Sequence, residues 1–254
     1  MKVRWISLVS KLMMIYIFLS YTLSKSVTNT FSDLIYNLSV TIDNWDAAQV
    51  MLGYYTKLDL SKPTYLDLKE LSQLIVPTGL QIIGVLFVVY FLAVSLSFQT
   101  LLNTRLKNRK KFIWFYLRET LIRICLYCLT VLLAVYTVLK TSEITSPTST
   151  FHYQSGHIYR WLILYGLQLF FMILAMSLVI FRGYLKNKGV QTVSLVIIFM
   201  TILTLVDRAF LEINIVLFDI KNGLLDSLVI WLGLSGIAYI VLLMTTFKQE
   251  EYND

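Results

Sequence analysis

Charge is scarce in this chain of 254 residues: Asp, Glu, Lys and Arg make up 15% of it, against about 25% in soluble domains. Cysteine is scarcer, with Cys125 and Cys128 three apart inside an apolar run. C-x-x-C spacing is that of a redox or metal pair. No cluster of His, Cys or carboxylates accompanies it, so packing thiols are the expectation. Histidine occurs twice, as His152 and His157 in one polar loop, and no metal site is expected there. The chain lacks G-x-x-x-x-G-K-[ST], H-E-x-x-H and G-x-S-x-G, and no set of paired carboxylates falls within its apolar runs. No catalytic, cofactor-binding or metal-binding residues are expected, and an enzyme is disfavoured. Internal repeats, low-complexity tracts and the ten-residue alternation of a membrane barrel are also missing.

Apolar residues take the place of charge, at 57% of the chain with a mean hydropathy of +0.70. Several runs approach the ~20 apolar residues that cross a ~30 Å hydrocarbon core as helix. The expected fold is all-α and polytopic, a single transmembrane domain over 1–254. It has six spans at about 12–26, 74–98, 114–139, 159–181, 190–206 and 227–247. Residues 1–11 alternate Val3, Ile6 and Val9 with Lys2, Arg4, Ser7 and Ser10, which predicts an N-terminal amphipathic helix along the interface. The first span begins near Leu12, or as early as Trp5 with Lys11 snorkelling. No small-residue cleavage site follows Tyr21, so this helix is read as retained rather than as a signal peptide. Residues 25–72 are too charged to cross, with Pro63 in a turn before a short helix.

Charge distribution sets the orientation. Fourteen of the 22 Lys and Arg fall at the N-terminus, in 99–123, in 182–189 and in the tail, and the other eight fall in the alternate loops. The basic side is cytoplasmic by the positive-inside rule, which puts both termini inside and 25–72 outside. Arg118, Glu119 and Arg123 are read as the wet end of the third span.

Two clusters stand out. Arg105, Lys107, Arg109, Lys110 and Lys111 put five bases in seven residues just before Trp114. An interfacial anchor accounts for part of this, and a docking surface for a cytoplasmic partner accounts for the excess. The second cluster is Asp207, Arg208 and Glu212, followed by the apolar run Ile213–Phe218. Arg208 and Glu212 share a helix face, whereas Asp207 points away from Arg208. The run is too short to span. It is expected to dip into the outer leaflet as a re-entrant helical turn, with Arg208, Glu212 and Phe218 at an outer gate.

The stretch Arg105-Leu106-Lys107-Asn108-Arg109-Lys110-Lys111-Phe112-Ile113-Trp114, opening into an apolar span, resembles the small permease subunits of bacterial ABC-2-type exporters. Those permeases have an amphipathic N-terminal helix, six spans, a basic loop between the second and third, and a short re-entrant piece before the last. The outer segment 25–72 is longer than in the best-known members. The resemblance implies a bacterial cytoplasmic-membrane permease that exports a peptide, antibiotic or lipid-like substrate. Its partners would be a second permease copy or sister permease and a cytoplasmic ATPase, which carries the ATP and Mg that this chain does not bind. The lipid bilayer surrounds it, and nucleic acid is not expected. Two other readings share these features: a polytopic channel subunit of a conjugative (type IV) secretion machine, and a stand-alone membrane immunity or resistance protein.

Overall fold

The computed structural model describes residues 8–21, 54–55, 78–90, 109–143, 155–186, 188–209, 215–216, 218–219 and 223–250. They form six helices: α1 (Leu8–Tyr21), α2 (Thr78–Tyr90), α3 (Arg109–Glu143), α4 (Ser155–Leu185), α5 (Gly189–Ala209) and α6 (Gly223–Glu250). In hydrocarbon each backbone N–H and C=O must be bonded within its own segment, which long apolar runs achieve as helix.

Four helices are long and apolar enough to cross a membrane: Trp114–Thr137, Leu162–Leu185, Gly189–Asp207 and Leu225–Met244. These coincide with the last four expected spans, so the chain is built as a membrane-embedded helical protein. The first two expected spans fall on α1 and α2, whose described parts are shorter than a span. The rest of 12–26 and 74–98 lies outside the described residues. α1 runs unbroken through Lys11, so no boundary separates a surface helix from a spanning one there. Lys11 Nζ sits 3.9 Å from the centroid of the Tyr90 ring. That cation–π contact offsets part of the cost of a charge in the run.

The described residues are all-helical apart from one short bridge. Tyr54–Tyr55 (β1) and Phe218–Asp219 (β2) form a two-residue parallel bridge. It places Tyr54–Tyr55 beside Phe218–Asp219.

α4 is the hub, packed against α3, α5 and α6. Its buried face includes Leu169, Met172, Ile173 and Ile180, opposite Ile124, Tyr127 and Val131 of α3 and Trp231 of α6. Contacts at two heights fix the antiparallel register of α3 and α4. Tyr116 stacks on Phe181 at 4.1 Å and 5°, and Gly166 lies against Leu132. α2 packs where Gly84 meets Ile173 and Tyr127, and Tyr127 donates its hydroxyl proton to the Leu80 carbonyl at 2.5 Å. Between α4 and α5 the chain reverses tightly: Lys188 N–H donates to the Gly183 carbonyl at 2.9 Å, and Gly183 lies against Thr192. α5 and α6 leave broad apolar faces exposed, among them Ile198, Phe199 and Ile202, and Val229, Ile237 and Ile240. Such faces suit contact with lipid tails.

Candidate functional site

The described residues gather their densest set of buried polar side chains where α4, α5 and α6 meet the segment before α6. Asp207 stands in the last turn of α5 and is 1% exposed. A carboxylate near a helix C-terminus opposes the helix dipole by about 0.3–1 kcal/mol. Two backbone donors offset that. Ile215 N–H donates to Asp207 Oδ1 at 3.1 Å, and Val216 N–H donates to Oδ2. Hydrogen bonds to a charged acceptor are worth about 1.5–3 kcal/mol each, so the capped arrangement wins. Val216 is 0% exposed and belongs to the apolar core.

The carbonyl of Ile215 is held from the other side. It accepts from Ser227 Oγ at 2.6 Å and from Trp231 Nε1 at 2.8 Å. Ser227 and Trp231 are four apart on α6 and therefore share a face. Ser227 Oγ in turn accepts from Gln168 Nε2 of α4 at 3.3 Å, while Gln168 Oε1 is buried without a hydrogen-bond partner. A further tie lies beside this set, where Thr78 of α2 meets Thr204 of α5 at 3.3 Å, one turn before Asp207. One peptide segment is thus clasped between α5 and α6, with Gln168 of α4 behind Ser227.

This arrangement corrects one expectation. Residues 215–216 form a bend rather than a helical turn. Both of their N–H groups are bonded to Asp207 and the Ile215 carbonyl to Ser227 and Trp231, and the apolar side chain of Val216 is buried in protein. Asp207, expected only to point away from Arg208, is the residue that secures the segment. Of the expected gate residues, Arg208 lies on α5 and Phe218 in β2, with side chains outside the description, and Glu212 falls outside the described residues. Of the expected docking residues, Arg109, Lys110 and Lys111 are the first three residues of α3, while Arg105 and Lys107 lie outside the described residues. Trp114 follows at 69% exposure, as suits an indole at the headgroup level.

Sequence reasoning missed Gln168, Ser227 and Trp231. The available signal was a lone amide inside the apolar run 159–181. Among the described residues no group of three or more His, Cys, Asp or Glu could hold a metal ion. The arrangement offers no chemistry of its own. It is a polar clasp that fixes the loop between two membrane helices.

No protein-family model, curated protein or solved structure matches this chain.

Proposed function

We propose that the chain is the transmembrane permease subunit of an ATP-driven bacterial exporter, moving a peptide, antibiotic or lipid-like substrate. On this reading it sits in the cytoplasmic membrane with both termini inside. It pairs with a second permease copy or a sister permease, and a separate cytoplasmic subunit hydrolyses ATP with Mg.

One observation carries the reading. α3 is a single 35-residue helix that starts at Arg109, within the basic stretch, and continues through the span to Glu143. At 1.5 Å per residue it is about 52 Å long. A partner seated on Arg109, Lys110 and Lys111 would hold one end of a continuous rod. Movement there would reach the far side of the bundle without a hinge to absorb it. An anchor needs no such continuity, because basic residues in a separate loop would serve as well.

The test uses the chain co-expressed with the exporter ATPase proposed as its partner and reconstituted in proteoliposomes. Arg105→Glu combined with Arg109→Glu is expected to abolish co-purification of the ATPase and stimulated ATP hydrolysis, while abundance and orientation stay normal. A double variant with normal transport and ATP stimulation would overturn the docking role. Co-purification with a conjugation coupling protein instead of an ATPase would point to a secretion channel. Protection against a peptide toxin without any ATPase would point to an immunity protein.

A further inference from the structure

The reversal between α4 and α5 has its height in the membrane set by the chain itself. Leu162–Leu185 and Gly189–Asp207 are each long and apolar enough to cross. Residues 186–188 join them, so the reversal lies at a membrane surface. It is tightly built. Lys186 N–H donates to the Arg182 carbonyl at 3.2 Å, and Lys188 N–H to the Gly183 carbonyl at 2.9 Å. Two glycines close it: a Cβ on Gly183 would collide with Thr192, and one on Gly189 with the Tyr184 ring.

The charges on this frame all have one sign. Residues 182–192 hold Arg182, Lys186 and Lys188 and no Asp or Glu. The two lysines are exposed, whereas Arg182, in the last turn of α4, is half-buried. Its Nε is buried without a hydrogen-bond partner, and no ion pair among the described residues engages it. Drawing a guanidinium out of water is unfavourable unless an opposite charge meets it. Its planar fork fits the oxygens of a phosphate.

The surroundings favour a lipid phosphate over a free one. Val179, Arg182 and Lys186 are three and four residues apart and share one stripe of α4. Leu178, Ile180 and Phe181 are buried, but Val179 is 43% exposed, so the stripe faces away from the bundle. On α5, Val190 is 77% exposed just past Lys188. Bases at the membrane surface with apolar side chains directly beside them match an amphiphile, its phosphate on the bases and its acyl chains along Val179. Three bases without an acid also favour a lipid of net negative charge.

We propose that Arg182, with Lys186 and Lys188, seats the phosphate of one anionic phospholipid at the α4–α5 reversal. This is a defined site, distinct from the diffuse attraction of any basic loop to a membrane surface. It goes beyond the exporter reading and stands without it, because binding needs no ATPase. Arg118 is the internal control: it is an exposed base on α3 outside this reversal.

The experiment titrates the purified full-length chain, in a neutral maltoside detergent, with phosphatidylglycerol and counts bound lipid by native mass spectrometry. One phosphatidylglycerol per chain is expected to bind ahead of any other, and more tightly than phosphatidylcholine. Arg182→Gln should weaken that first binding step about tenfold or more, and Arg118→Gln should change it little. Lys186→Gln combined with Lys188→Gln should weaken it severalfold. Both lysines are exposed, so this double variant serves as the test if Arg182→Gln does not fold. Glycerol 3-phosphate, a headgroup without chains, should not compete at the same concentration. Equal binding of phosphatidylcholine, equal loss in the Arg118 variant, or full binding in both the Arg182 and the double lysine variants would overturn the site. Equal competition by glycerol 3-phosphate would overturn the lipid as its occupant.

Discussion

The carboxylate of Asp207 accepts the backbone N–H of Val216, nine residues later, and so fastens the segment before the last helix to the end of the one before it. With Ile215 N–H on its other oxygen, the single side chain at 207 supplies two bonds that a helical turn would otherwise have to provide.

Asp207→Asn should therefore release the segment. An amide nitrogen cannot accept, so one buried N–H is left unpaired at a cost of about 1–3 kcal/mol. In a background without Cys125 and Cys128, Val216→Cys should react slowly with a membrane-impermeant thiol reagent, and quickly once Asp207→Asn is added. Fast labelling with Asp207 intact would mean that the segment is an ordinary solvated loop.

Trp231 and Ser227 share the Ile215 carbonyl and should be energetically coupled. Trp231→Phe keeps most of the apolar ring and removes the Nε1–H, with an expected loss of about 0.5–1.5 kcal/mol. Ser227→Ala also frees Gln168 Nε2 from its partner. Thermal melts in detergent on both single variants and the double should show non-additive losses. Strict additivity would separate the two bonds and argue against a common clasp.

Glycines divide by what surrounds them. A Cβ on Gly84 would meet Tyr127 Cε1 at 2.7 Å and crowd Ile173, so Gly84→Ala should destabilise by about 1–3 kcal/mol. Gly233 has nothing within 4 Å of the same position, so Gly233→Ala should be neutral or slightly stabilising. A melting temperature unmoved by Gly84→Ala would contradict the close approach of α2 to α3 and α4.

Orientation is tested by labelling in the same thiol-free background. Trp45→Cys should be modified from outside, and Arg109→Cys only after permeabilisation. The reverse pattern would overturn the assignment by positive charge.

What the sequence determined by itself was the class of protein and the places of the four long helices. A helix in lipid is specified locally: each N–H bonds four residues back, and a run of apolar side chains says that the run lies in hydrocarbon. Trp114–Thr137 and Leu162–Leu185 could be read off in that way. Tertiary structure decided which polar residues within those runs meet. Gln168 and Ser227 are 59 residues apart, and no local pattern says that the helices carrying them are turned toward each other. The stacking of Tyr116 on Phe181 likewise sets the height of α3 against α4 through residues far apart in sequence. Asp207 shows the same division. Its charge marked the end of a span, but its direction followed from the two unpaired N–H groups that the folded segment brought to it, because burying them without an acceptor would cost more than burying the carboxylate that caps them.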